Sequence, residues 1–332
     1  MSELRGKKVL MFSPYGATKH YGEAIKEELI SRGVTVTSYD ERPSQRAINK
    51  IVIRLFKKKV PQIFDRYIRR VINENLHADY NYILICRGEA FTPQSIDILK
   101  KAFPDAMIIL YCWDVFKYCD LSSNISYVNK AMSFDPEDVD NNPGLQFRPT
   151  FFVNEYRTLS NHALNDYKND FLFIGTLYEN RHVLLAQMKA SFAKQGLTMV
   201  EYLYVPSILL YFIDLIMKFP YVSLSRVHFL PISMLDTVKL LKDCKAILDI
   251  TFTATQKSLS MRAYEAMAAH KKYITNNPEV MKYDFYNPNN IAVINMETMK
   301  IPKGFLEKPF EPVPEEVLYK YSVQGLVDDL FS

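Results

Sequence analysis

Lys245 to Asn276 reads KAILDITFTATQKSLSMRAYEAMAAHKKYITN, and the order of its parts decides the fold. An apolar strand runs into a loop, Thr251 to Ser258, made almost wholly of small and hydroxylic residues. A helix opening near Leu259 follows, and then a second apolar strand. The free N–H groups and partial positive charge of a helix N-terminus favour an anion. Lys257 just before the helix and Arg262 in its first turn add full charges. Glu265, three residues past Arg262, shares its face, and a carboxylate there can accept two hydrogen bonds from a ribose diol. The constellation suits a nucleoside diphosphate. The same spacing equally suits an N-capped helix bearing an i,i+3 Arg–Glu surface pair.

Outward from that stretch the same rhythm recurs, short apolar strands alternating with longer amphipathic stretches, which is the mark of α/β architecture. In the first half, strands are read at Lys8–Phe12, Val34–Ser38, Tyr82–Cys86 and Met107–Tyr111, with helices at 21–31 and 93–102 and a basic helical stretch over 45–75. Ser133 to Pro149, rich in turn formers, reads as a connection. After a polar stretch at 154–169 the rhythm restarts with strand Asp170–Ile174, helix 181–195 and strands at 199–204, 246–250, 272–275 and 291–294. Two tandem Rossmann-like α/β domains are expected, 1–153 and 170–305. A tail at 306–332, with one helix from Glu315 to Phe331, is expected to pack back on the first domain. Ligands of such folds sit at the carboxyl ends of the strands.

With 332 residues, 48% of them hydrophobic, the chain has enough apolar matter for two cores, and disorder is excluded. Lys+Arg 41 against Asp+Glu 37 gives only +4, weak for a nucleic-acid binder. The excess is local: Arg42 to Ile72 holds ten Lys/Arg and one acid, a segment charge of +9 that leaves −5 for the rest. The four cysteines form no C-x-x-C pair and read as reduced, mostly buried thiols, and the six scattered histidines point to no structural metal. With no signal peptide and no run long enough to span a bilayer, a cytoplasmic protein is expected.

Strand–loop–Q-x-x-L-S-M-R-x-x-E-A-x-A–strand resembles the donor-binding segment of GT-B glycosyltransferases, in particular bacterial members serving capsular and lipopolysaccharide biosynthesis. Further stretches are similar to the same family, in order along most of the chain. They are Asp40-Glu41-Arg42-Pro43, Tyr111-Cys112-Trp113-Asp114, Ser133-Phe134-Asp135-Pro136-Glu137-Asp138, Phe147-Arg148-Pro149, and Phe173-Ile174-Gly175-Thr176 with Tyr178 and Arg181. The chain departs from the family in having Ser258 before the donor helix and His270 at its end, where members usually have Gly. His tolerates a left-handed helix cap better than most residues.

The resemblance implies two Rossmann-like domains facing across a cleft, with a nucleotide-sugar donor on the second and a glycan or lipid-linked acceptor on the first. It implies a metal-independent transfer without a cofactor, the departing diphosphate being stabilised by positive groups and a helix dipole. Gly175, Thr176, Arg181, Lys257, Ser258, Ser260, Arg262 and Glu265 would then bind the donor, Glu265 through the ribose. Arg181 is also readable as a plain solvated helix start. An inverting reaction needs a base, and Asp114, Glu89 and His20 each follow a strand of the first domain. Each also suits a cap or a turn, and a retaining reaction would need none of them as a base. Asp138-Val139-Asp140 spells the D-x-D of metal-dependent transferases, but its Pro/Asn/Gly-rich surroundings read as turn chemistry.

Arg46, Lys50, Arg54, Lys57 and Lys58 recur at helical spacing beside a stripe of Ile48, Ile51, Val52 and Leu55. That pattern fits peripheral contact of residues 46–58 with the anionic inner face of a cell membrane, or a solvated helix packed on the sheet. No basic motif interleaved with aromatics points to nucleic acid. The run Ile208 to Phe219 reads as a buried helix or a second membrane-touching patch. Two rivals to glycosyl transfer stand: a nucleotide-sugar epimerase of the same architecture, which needs no acceptor, and a non-catalytic donor-fold protein in a polysaccharide assembly complex. Binding without turnover would favour the last.

Overall fold

The computed structural model describes residues 4–43, 60–159, 167–177, 181–208, 211–212, 223–251 and 257–332. The basic stretch 46–58 lies outside the described residues, as does most of the run from Ile208 to Phe219. The described chain forms two compact units. The first holds the residues up to Thr150 together with Lys257, Ser258 and Val323–Ser332. The second holds Phe151 to Thr251 and Leu259 to Ser322.

The sheet of the first unit is all parallel: β1 (Lys8–Ser13), β2 (Thr35–Asp40), β3 (Tyr82–Cys86), β4 (Met107–Cys112), β5 (Lys130–Ser133) and β6 (Leu145–Phe147), in the spatial order β2-β1-β3-β4-β5-β6. Strands buried on both faces need continuous apolar runs, and VLMF, ILIC and IILYC supply them in β1, β3 and β4. Among the described residues, four α-helices connect the strands: α1 (Lys19–Ser31), α2 (Val60–Glu74), α3 (Pro93–Ala102) and α4 (Pro136–Asn141). On α2, Phe64, Tyr67, Ile68, Val71 and Ile72 recur at helical spacing and bury against the sheet, where Phe12 and Phe64 both meet Phe91 edge-on. Each such side chain contributes roughly 1.5–3 kcal/mol. Thr92 and Ser95 start α3 with a reciprocal capping box, and Pro93 fills its first turn.

The second sheet is also parallel: β7 (Asn169–Thr176), β8 (Met199–Tyr204), β9 (Val227–His228), β10 (Cys244–Asp249), β11 (Lys272–Thr275) and β12 (Ile291–Val293), in the order β12-β11-β10-β7-β8-β9. Helices α5 (Arg181–Lys194), α6 (Met234–Lys242) and α7 (Met261–Ala268) lie between its strands, and α8 (Glu315–Lys320) follows them. The core gathers Phe171, Phe173, Leu185, Met188, Phe192, Leu203, Leu248 and Ile274.

Three readings of the sequence need correction. Ser133 to Pro149 is more than a connection: Asp135 accepts the N–H groups of Glu137 and Asp138 to start α4, and β6 follows as the sixth strand. Its short length and its turn-rich flanks hide it. Asp138-Val139-Asp140 therefore lies in a helix rather than a turn. The terminal helix breaks at Tyr321-Ser322, where Phe152 bridges Ser322, and α9 (Val323–Phe331) continues separately. In the first unit, Arg32 pairs with Asp328 and donates to the carbonyl of Gln324, Arg148 holds Asp329, and Phe331 meets Tyr82 edge-on. Among the described residues no helix is long and apolar enough to cross a membrane.

Candidate functional site

In each sheet the strand order reverses at one point, opening a crevice at the carboxyl ends of two neighbouring strands. In the second sheet that point lies between β7 and β10. At the end of β7, a Cβ on Gly175 would come within 2.9 Å of the Phe173 ring, so any larger residue must displace that ring. The Arg181 guanidinium lies over that ring and donates to the carbonyl oxygen of Thr176 at 2.8 Å. The first residue of α5 is thus folded back onto the strand end.

At the end of β10, Asp249 accepts hydrogen bonds from the Ser260 hydroxyl at 2.7 Å and the Tyr273 hydroxyl at 2.6 Å. Ser260 is the N-cap of α7 and accepts the Arg262 N–H at 3.2 Å, so the helix opens two residues later than its sequence suggests. Arg262 donates to the Tyr156 hydroxyl at 3.3 Å and pairs with Glu265, whose side chain is fully buried. The i,i+3 pair exists, but with its carboxylate fully buried and only the guanidinium partly exposed. Burial, with Glu265 next to it, pushes the Tyr156 hydroxyl well up. At the far end of α7, His270 takes φ +51°, while its N–H and that of Lys271 donate to Met267 and Ala266. The helix closes with a left-handed cap on a histidine.

Lys257 and Ser258 are engaged by the first unit. Ser258 is fully buried and donates its N–H and hydroxyl to Asp135 at 3.2 and 2.8 Å, while Lys257 lies 3.7 Å from Glu137. The structure thus gathers Gly175, Thr176 and Arg181 at one strand end of the second unit and Ser260, Arg262 and Glu265 at another, while Lys257 and Ser258 belong to the first unit, against Glu137 and Asp135. Near Asp135, Asp138 accepts the Phe116 N–H, and burial pushes its carboxyl up to about 6. Among the described residues no three His, Cys, Asp or Glu side chains converge as metal ligands.

The first sheet reverses between β1 and β3, and its carboxyl ends carry a charged cluster. Past β3 come Arg87 at φ +70° and Gly88 at φ +77°. Arg87 pairs through Nε with Asp114, which follows β4, through Nη2 with Glu89 at 2.7 Å, and through Nη1 with Glu41 at 3.3 Å, which follows β2. Arg42 pairs with Glu89 as well. Burial alone would lower the Arg87 pKa, but Asp114, Glu41 and Glu89 raise it on balance. Glu41 is fully buried, and burial pushes its carboxyl up to about 7 against the pull of Arg87 and Arg42. Asp114 and Glu89, candidate bases by sequence, share one guanidinium. His20 stands apart in the chain, in the first turn of α1, its ring against Tyr21.

Sequence reasoning missed Glu41, Arg87 and Asp249 as members of these sites. The available signal was position: each closes or directly follows a parallel strand, where a charged residue faces a crevice and not the core.

No protein-family model matches the chain, and no curated protein matches its sequence. Solved structures do match. The lipopolysaccharide outer core galactosyltransferase WaaB in its apo form is 11% identical, with 97% of this chain and 98% of that one covered at a TM-score of 0.54. The catalytic domain of starch synthase IV from Arabidopsis thaliana, bound to ADP and acarbose, is 10% identical, with 97% of each covered at 0.56. A putative UDP-N-acetylglucosamine 2-epimerase from Listeria monocytogenes is 12% identical, with 97% and 94% covered at 0.51. At these identities the likeness speaks to architecture: the chain has the two-sheet α/β fold of the GT-B glycosyltransferases.

Proposed function

We propose that the protein is a glycosyltransferase that moves a sugar from a nucleotide-sugar donor to a hydroxyl of a glycan or lipid-linked acceptor in surface polysaccharide biosynthesis. The observation that carries this reading is the reversal point between β7 and β10. Gly175 in the last residues of β7 and Arg181 flank one strand end there, and a Ser-capped helix N-terminus with Arg262 and buried Glu265 flanks the other. Free N–H groups, a helix dipole and guanidinium charge suit a leaving diphosphate. In this reading Arg181, Arg262 and Lys257 stabilise the diphosphate, Gly175, Thr176, Ser258 and Ser260 shape its surroundings, and Glu265 holds the ribose.

The acceptor is assigned to the strand ends of the first unit. Asp114, Glu89 and His20 are its candidate proton acceptors, with Asp114 the first choice. Transfer is taken to need neither metal nor cofactor. The place of action is the cytoplasmic face of the membrane, with residues 46–58 touching anionic lipid and nucleic acid having no part. The likeness to a putative epimerase favours one second reading, isomerisation of the donor sugar without an acceptor.

The test is thermal stability of the purified chain against UDP, GDP, dTDP, ADP and CMP without added metal. A ligand that binds only the native state stabilises by about 2.7 kcal/mol at a hundredfold excess over Kd. Stabilisation by one nucleotide, lost in Glu265→Ala, supports the donor site and names the donor class. Indifference to all five sinks it. Donor turnover that rises with an added acceptor separates transfer from isomerisation.

A further inference from the structure

The turn after β3 is held in a conformation that an arginine rarely adopts. Arg87 and Gly88 are left-handed in succession, and for any residue with a Cβ that region is disfavoured unless its surroundings impose it. Here they do. The Arg87 N–H donates to Tyr111, Phe91 donates to the Gly88 carbonyl, and the Glu89 N–H donates to Oε2 of Glu41 at 3.2 Å. A Cβ on Gly88 would press on Leu110 at 2.9 Å.

Glu41 is the only side chain in that set. Its backbone N–H is tied to Ser13, which fixes it at the end of β2 beside β1. Its Oε1 makes no hydrogen bond and faces Arg87 at 3.3 Å and Arg42 at 3.8 Å. Arg87 is shared three ways, and the other two carboxylates, Glu89 and Asp114, are 41% and 39% exposed. Fully ionised, three carboxylates face two guanidiniums. A proton on the one buried carboxyl makes the cluster neutral. The cysteines that feel Glu41, Cys86 of β3 and Cys119 beyond β4, both have thiols raised by burial and add no charge.

We propose that Glu41 is a proton-bearing positioning residue, whose buried carboxyl holds the left-handed Arg87–Gly88 turn and whose loss of a proton draws Arg87 away from Asp114 and Glu89. With the proton on, Arg87 clamps the two half-exposed carboxylates, whose oxygens can accept hydrogen bonds from the hydroxyls of a polyol. When the proton passes to solvent, Glu41 competes for the same guanidinium and the pair loosens. Calling that polyol the sugar acceptor rests on the proposed function; the positioning does not.

The experiment compares the full chain with Glu41→Gln from pH 5 to 8.5. Because the folded carboxyl sits above its unfolded value, near 7 against 4.5, its contribution to stability is present at low pH and lost as pH rises through about 7. The melting temperature of the unaltered chain should therefore fall relative to Glu41→Gln across that range, and parallel curves overturn the proposal. Infrared spectra of the unaltered chain labelled with 13C-glutamate provide a second readout. A protonated carboxyl band present at pH 6 should fade by pH 8, and its absence overturns the proposal even if Glu41→Gln fails to fold. Positioning through Arg87 is read in Asp114→Asn: freeing Arg87 for Glu41 should move the midpoint of the band to lower pH, and an unmoved midpoint refutes the shared clamp. None of these readouts depends on a nucleotide, so failure of the donor screen would stand as a separate result.

Discussion

The two parallel sheets carry opposite chemistry at equivalent places. Where the first sheet reverses, the strand ends hold five charged side chains, one of them buried, on a backbone turn with a left-handed arginine. Where the second reverses, they hold hydroxyls, a capped helix N-terminus and a glycine pressed by a ring, and among the described residues the charge lies on Arg181, Asp249 and the Arg262–Glu265 pair. Fixed N–H groups and dipoles suit an anion that must be held without a proton changing hands. Clustered carboxylates sharing guanidiniums suit proton chemistry, because their affinities for protons depend on one another. One architecture thus supplies two sites, and the residues just past the strands decide which is which.

The sharpest way to break that contrast is to remove the charge that keeps the second site quiet. Arg262→Ala would take the guanidinium partner from Glu265, whose side chain is fully buried. Breaking a buried pair from one side costs about 3–5 kcal/mol, and Tyr156 would lose a donor as well. The expected result in urea is a large drop in midpoint. Arg262→Ala with Glu265→Gln should recover much of it. If the single variant unfolds at the same urea concentration as the parent, Glu265 is not held by Arg262 and the pair does not frame the second site.

How far these sites were legible in the sequence follows the same divide. The strands at β1, β3, β4, β7 and β10 were readable because burial on both faces demands unbroken apolar runs. The short strands β5, β6 and β9 were not, since so few residues carry no periodicity and none of the three is an unbroken apolar run, whereas the equally short β12 lies in one, IAVI. Ser260, Arg262 and Glu265 could be read as a group because they lie within six residues of one helix. Glu41, Arg87 and Asp114 come from three strand ends, 46 and 27 residues apart in sequence, and only the register of β2, β1, β3 and β4 brings them together. Charge arithmetic along the chain cannot reveal a cluster built across it. Nor could spacing say that Glu265 would be buried, since a helix face shows its neighbours only once packed.

Gly175 tests the frame of the second site from the steric side. Gly175→Ala places a methyl 2.9 Å from the Phe173 ring and within 3.3 Å of Arg181. Overpacking of this kind costs about 1–3 kcal/mol. The effect should be read in thermal midpoint, and Phe173→Leu in the same chain should restore part of it by withdrawing the ring. Full stability in the single variant would mean that β7 ends in a looser turn, with room for the ring to swing aside.

The smallest expected effect separates strain that carries function from strain that only closes a helix. His270 and Arg87 both adopt left-handed backbone, at φ +51° and +70°. Around Arg87 the conformation aims a guanidinium at three carboxylates. Around His270 it ends α7, and the ring lies parallel to Phe310 at 5.0 Å between centroids. His270→Gly relieves about 1 kcal/mol of backbone strain and gives up a ring contact of roughly 0.5–1.5 kcal/mol. The two nearly cancel, so its unfolding free energy in urea should stay within about 0.5 kcal/mol of the parent's, and any nucleotide response should be unchanged. A loss of that response would show that the far end of α7 is coupled to its N-terminus, and that the second site extends along the whole helix.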